Sequence, residues 1–162
     1  MSDLTTPQLA YIAGLIDGEG SLECQKQMQK RGRTPRYVLR LAFTMSTPEP
    51  LETTAMWLGL TPKWYPVTDS RRQATCRLSI PKGITVPLLR QCLPYLILKH
   101  EAAKLILAIE EVRAKWSPTR HHFGSAKLEP MPQRAVEEME TLHQRLRATK
   151  SNKRPIRCRV AA

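Results

Sequence analysis

Along residues 6–18 the apolar positions recur with a helical period. Leu9, Ile12, Ala13 and Ile16 form one stripe, and Ala10, Gly14 and Gly18 form a second, of small residues at every fourth position. Thr6 as a hydroxyl N-cap and Pro7 at the first helical position predict the start of this helix, and Gly18 its end. Two stripes need two neighbours: the large residues face the chain's own core, and the small ones let another helix backbone come close. After Gly20 the period falls to two. In residues 21–31 the odd positions Glu23, Gln25, Gln27, Gln29 and Arg31 are polar, while Leu22, Cys24 and Met28 mark the other face, interrupted by Lys26 and Lys30. "RGRTP", which contains Arg33, makes a turn. Then Tyr37, Leu39, Leu41 and Phe43 alternate with Arg36, Val38, Arg40, Ala42 and Thr44. The pattern predicts a long hairpin with one basic, amide-rich face.

Residues 48–60 predict a second helix, stopped by Gly59 and Pro62. A second hairpin follows, with one strand near "KWYPV" (Lys63, Tyr65) and the other "QATCRLSI", where Gln73, Thr75, Arg77 and Ser79 oppose Ala74, Cys76, Leu78 and Ile80. "VPLLRQCL" and "LKHEAAKLILAIEEVRAKW" predict two helices around Pro94, and residues 132–148 a last one. The class is α+β in the order α-β-β-α-β-β-α, a four-stranded antiparallel sheet with helices packed on one face and the other face open. Residues 1–145 read as one domain and 146–162 as a basic tail. A chain of 162 residues buries a core without disulfides or a structural metal.

Charge decides what the open face is for. Lys and Arg number 26 against 14 Asp and Glu, a formal net charge of +12, which points to an acidic polymer as partner. The cations cluster in the first hairpin, in the second (Lys63, Arg71, Arg72, Arg77, Lys82) and in the tail, where no acid follows Glu140. Acids mix into the helices near Glu49, Glu110 and Glu137, as on a surface turned away from a polyanion. Arg and Gln are the side chains that reach guanine and adenine edges, and a two-stranded ribbon fits the major groove, so double-stranded DNA is the expected partner. No run is long enough to span a membrane and no secretory signal opens the chain, so an intracellular, soluble protein is expected. Cys24, Cys76, Cys92 and Cys158 lack C-x-x-C spacing and read as reduced thiols, Cys24 and Cys76 in the core. His121 and His122 read as loop residues.

The stretch "YIAGLIDGEGS" resembles the signature of the LAGLIDADG homing endonucleases, and the element order behind it, with "YLILKHEAAKLIL" following, extends the resemblance over residues 6–116. The resemblance implies a homodimer, because one motif occurs per chain, with the motif helices crossing at Ala10, Gly14 and Gly18. It implies Glu19 as ligand of Mg²⁺, or of another divalent cation such as Mn²⁺ or Ca²⁺, with the Gly18 carbonyl beside it and Asp17 buttressing the helix end. Lys99 matches the family's basic residue near the scissile phosphate, and Thr47 a polar water-holding side chain. Leu51 stands where a related enzyme has an arginine, and Arg77 or Arg40 are the candidates to compensate.

The DNA-binding set expected on the sheet is Glu23, Gln25, Gln27, Gln29, Arg31, Arg33, Arg36, Arg40, Thr44, Lys63, Tyr65, Arg71, Arg72, Gln73, Thr75 and Arg77. An eleven-residue strand spans roughly 36 Å, about ten base pairs, so a dimer covers about twenty. The implied activity is metal-dependent double-strand cleavage of a long pseudo-palindromic DNA site, as in intron homing. The alternative is a non-cleaving nucleic-acid binder, such as an intron maturase acting on RNA or a DNA-binding regulator. The tail from Arg145 onward reads either as a solvated, partly disordered end or, the reading preferred, as an arm along the DNA backbone.

Overall fold

The computed structural model describes residues 4–28, 35–66, 74–116 and 131–151, with side chains as far as Thr149. Gln29, Lys30, Arg31, Arg33, Arg71, Arg72, Gln73, His121, His122, Cys158 and the tail beyond Ser151 lie outside the described residues. The elements are α1 (Thr6–Glu19), β1 (Gly20–Gln27), β2 (Arg36–Met45), α2 (Glu49–Leu58), β3 (Lys63–Tyr65), β4 (Thr75–Ile80), α3 (Lys82–Cys92), a 3-10 turn (Leu93–Tyr95), α4 (His100–Trp116) and α5 (Gln133–Ser151). The strands form one antiparallel sheet in the order β1-β2-β4-β3. The expected α+β class and element order hold.

Alternation sorts the sheet into two faces. Leu22 and Cys24, then Tyr37, Leu39, Leu41 and Phe43, then Cys76, Leu78 and Ile80 are buried under the helices, where they meet Ile12, Ala13 and Ile16 of α1, Leu51 and Ala55 of α2, Leu88 and Leu89 of α3, and Ile106 and Ile109 of α4. Each such Leu or Ile contributes about 1.5–3 kcal/mol by leaving water. On the other face Ser21, Gln27, Arg36, Arg40, Thr44, Lys63, Tyr65, Arg77 and Ser79 are exposed. The described β1–β2 ladder of eight residues on β1 spans roughly 26 Å, shorter than the eleven-residue strand expected.

Several boundaries differ from the expectation, each for a local reason. The N-cap of α1 is Thr5, not Thr6, because the Gln8 side chain reaches back to accept the Thr5 N–H at 2.8 Å. The helix runs one residue past Gly18, since the N–H of Gly20 still bonds to the carbonyls of Leu15 and Ile16. α3 begins at Lys82 with Pro87 inside it, its first turn held by Thr85, whose hydroxyl donates to the Ile80 and Pro81 carbonyls at 3.1 Å. α5 continues to Ser151, so Arg145 and Arg147 are helical and the boundary at 145 falls within a helix.

Two charged groups also differ. Glu110 is not on a solvent-facing surface but buried between Lys82 at 2.7 Å and Arg113 at 2.9 Å, and burial pushes its carboxyl up to about 7. Lys26, which interrupts the inner face of β1, finds Glu140 of α5 at 2.5 Å. The same carboxylate oxygen accepts the Tyr37 hydroxyl at 2.6 Å, and His143, one turn along, meets the Cys24 carbonyl at 3.0 Å. α5 thus closes the inner face where β1 turns polar.

The Lys26 and Tyr37 hydrogen bonds hold the Glu140 carboxyl down at about 2 against an ordinary 4.5. Its contribution is therefore complete above pH about 4.5 and is lost as the pH falls toward 2. Discounted for its 31% exposure, the effect is on the order of 1–2 kcal/mol. Denaturant unfolding of Glu140→Gln should show that deficit at pH 7, narrowing below pH 4; a gap independent of pH would contradict the assignment.

Candidate nucleic-acid interface

The site is organised at the C-terminus of α1. The last carbonyls of a helix lack intrahelical partners and carry partial negative charge, and no basic residue lies in the last turn of α1. The cation comes from eighty residues away: Lys99 Nζ donates to the Ile16 carbonyl at 2.6 Å and to the Asp17 carbonyl at 2.7 Å. Asp17 returns the contact, its carboxylate accepting the backbone N–H groups of Ile97, Leu98 and Lys99 at 2.6, 3.0 and 2.8 Å. Burial pushes the Asp17 carboxyl up, but the three N–H groups and the Lys99 charge outweigh it and hold the group below the ordinary carboxylate range. Hydrogen bonds to charged groups contribute roughly 1.5–3 kcal/mol each, so this reciprocal clamp fixes α1 to the segment leading into α4.

Glu19 is the last residue of α1 and exposed, and Gly18 beside it is exposed too. The chain then turns directly into β1 at Gly20, where a Cβ would fall 2.7 Å from the Ile16 carbonyl oxygen and 2.8 Å from its Cα. Only glycine allows so tight a turn. The clamp thus brings Lys99 to the same helix end that carries Glu19. A cavity of about 270 Å³ opens there, lined by Gly20, Ser21, Leu22, Leu98, Lys99, Glu101, Ala102 and Thr149.

Thr47 is exposed in the connection from β2 to α2, past Met45 at the sheet end where β1 begins opposite Phe43. Leu51 is fully buried in the core on α2, so an apolar residue suits its surroundings and its side chain does not face this region. Arg40 and Arg77, named as candidates to compensate, are both exposed on the open sheet face.

That face is a ladder of polar pairs: Glu23 opposite Arg40, Gln27 opposite Arg36, Thr44 opposite Arg77, Lys63 opposite Arg77 and Tyr65 opposite Thr75. Gln25 lies half-buried opposite Val38. Glu23 is the only acid among the described strand residues.

The small-residue stripe of α1 lies open. Ala10, Gly14 and Gly18 are exposed, and a Cβ added at Gly14 or Gly18 would meet nothing within 4 Å. Around it stand apolar side chains that the sequence reading did not single out. Tyr11 is 43% exposed and edge-on to Trp57, and Ile97 and Leu98 are 84% and 64% exposed. The signal was the "LIL" of "YLILKHE", an apolar run just before a helix start. The sequence placed Arg147 in a basic cluster but not the groove it forms with β1, about 620 Å³, where Glu140, Gln144 and Arg147 of α5 face Gln25, Lys26 and Gln27.

Among the described residues no group of three or more His, Cys, Asp or Glu is placed to hold a metal ion, and no helix is long and apolar enough to cross a membrane. No protein-family model and no curated protein matches the chain. Solved structures do. The homing endonuclease I-CvuI, in complex with a DNA target in the presence of Mg, superposes with a TM-score of 0.60 at 20% identity over 88% of this chain and 82% of that one. The archaeal intron-encoded homing endonuclease I-Vdi141I, complexed with DNA, gives 0.62 at 15% over 88% and 83%. The meganuclease I-SmaMI, bound to uncleavable DNA, gives 0.57 at 15% over 86% of this chain but 45% of its own, so this chain corresponds to about half of that protein. With the signature on α1, the sheet order and these superpositions in agreement, the chain has the fold of the LAGLIDADG homing endonucleases.

Proposed function

We propose that the chain is a sequence-specific homing endonuclease that acts as a homodimer and makes metal-dependent double-strand breaks in a long pseudo-palindromic DNA site. The observation that carries this reading is the end of α1, where the Asp17–Lys99 clamp joins a lysine to the helix whose last residue is the exposed acid Glu19, beside an open basic sheet face. A pure binder has no need of an acid at position 19, where no other described residue of the chain is shown to engage it. The similar solved proteins I-CvuI and I-Vdi141I are homing endonucleases described with DNA, I-CvuI in the presence of Mg in one structure and Ca in another.

Each residue then has a part. Arg36, Arg40, Lys63 and Arg77 neutralise phosphates or reach guanine, and Gln25, Gln27, Thr44, Tyr65 and Thr75 contact bases or backbone. The α1 helices of two protomers pack through Ala10, Gly14 and Gly18 and cover Ile97 and Leu98. A two-fold axis there makes the target a pseudo-palindrome. The Glu19 carboxylate and Gly18 carbonyl are hard oxygen donors of the kind Mg²⁺, Mn²⁺ or Ca²⁺ accept, and they are the groups of this chain that would hold such an ion. A divalent ion bound there would supply water activation and stabilisation of the leaving oxygen. Lys99 offsets charge on the phosphate that is cut, and the Thr47 hydroxyl holds a water by hydrogen bonding. The tail beyond α5 adds cations for the DNA backbone.

Two experiments test this reading. Selection of cut sites from a randomised DNA library with Mg²⁺ should yield discrete sites for the parent, while Glu19→Gln keeps binding within about twofold and loses cleavage by at least about a hundredfold. Binding by both proteins without cleavage by either would favour the maturase or regulator. Separately, Gly14→Leu should fold with unchanged circular dichroism, because the protomer has room for the side chain, yet sediment as a monomer and cut no DNA. A dimeric, active Gly14→Leu would rule out α1 as the interface.

A further inference from the structure

Glu23 is an anomaly on its own surface. The strands carry no other acid among their described residues, and a carboxylate on a face that meets phosphates weakens binding to every sequence alike. Its hydrogen bonds point to a use. Ser21 Oγ donates to Glu23 Oε1 at 3.3 Å, and Gln25 Nε2 donates to Glu23 Oε2 at 3.0 Å, linking three successive side chains of the open face of β1. Opposite Gln25 stands Val38, whose side chain offers no hydrogen bond.

A carboxylate only accepts hydrogen bonds, so it distinguishes the two ends of the neighbouring amide. Glu23 takes one N–H of the Gln25 amide, which leaves the Gln25 carbonyl oxygen and second N–H as the pair available to a ligand. That pair is what a glutamine uses to read adenine, accepting from N6 and donating to N7. Without the carboxylate either end of the amide can turn outward, and the ordering cost falls on the binding step. We propose that Glu23 is a specificity-determining residue, which orients Gln25 to read one adenine in each half-site. This rests on the DNA-binding reading of the sheet and adds to it a division of labour: Gln25 makes the contact and Glu23 selects which contact it makes.

The two effects of Glu23 have opposite signs, which makes them separable. Binding selections on randomised double-stranded oligonucleotides, run with the parent, Gln25→Ala, Glu23→Ala and the double variant, provide the test, with Gln27→Ala as a positional control. Gln25→Ala should lose adenine preference about tenfold at one symmetry-related pair of positions. Glu23→Ala should loosen the same pair several-fold while binding unrelated DNA as tightly as the parent or more tightly, and the double variant should be no looser there than Gln25→Ala. Gln27→Ala should alter a different pair. An unchanged preference at the Gln25 position in Glu23→Ala, a base other than adenine there, or uniform loosening at every position would overturn the proposal and leave the DNA-binding reading standing. A parent with no preferred sequence at all would overturn both.

Discussion

The arrangement of the sheet and of the segment before α4 depends on how α1 ends. A helix terminus is electrostatically unfinished, and here it is completed by a lysine from another part of the chain, while an aspartate of the helix completes the backbone before α4. The exchange is mutual: one cation satisfies two carbonyls, and one carboxylate satisfies three N–H groups. Neither side chain can be moved without exposing the other's partners. The exposed Glu19 and the Gly20 turn into β1 therefore start from a fixed point, and the direction of the sheet follows from it.

The sheet in turn separates two chemistries by parity alone. Residues facing the helices are mostly aliphatic, aromatic or cysteine, with Lys26 the charged exception, and those facing away are mostly Arg, Gln, Thr and Ser, with Glu23, Val38, Ala42, Lys63 and Tyr65 among them. Where β1 runs beyond the helices that cover its middle, an unassisted inner face would expose Tyr37 and strand Lys26. α5 resolves this by bringing Glu140 to both and His143 to the Cys24 carbonyl. The same helix carries Arg145 and Arg147 outward, so it serves the core with one face and adds positive charge with another.

Much of this was legible in the sequence because period-two and period-3.6 patterns are local. The parity of β1, β2 and β4, the buried stripe of α1 and the open small-residue stripe could be read from spacing. What failed to show were long-range pairings. Lys26 looked like a flaw in the inner face because its partner is on α5, Glu110 looked like a surface acid because Lys82 belongs to α3, and Leu51 looked like a gap in the site, whereas its position faces the core. The capping role of Lys99 could not be read from residues that meet Asp17 only in the fold; the resemblance named Lys99 and Asp17 without the contact that joins them. Thr5 and Thr6 are both hydroxyl residues before Pro7, and only the reach of Gln8 distinguishes them.

The glycines of α1 carry the last step. Glycine inside a helix costs about 1 kcal/mol against alanine, and a protomer that needed the space would show a neighbour pressed against the missing side chain. Gly20 does show one: the backbone of Ile16 lies where its Cβ would be. Gly14 and Gly18 do not, and open space surrounds both. The cost at those two positions is therefore not recovered inside the protomer. The apolar side chains of Tyr11, Ile97 and Leu98 are also exposed, by 43%, 84% and 64%. In the proposed homodimer a second backbone crossing at Gly14 and Gly18 would offset both terms at once, and its symmetry would bring a second Glu19 toward the first.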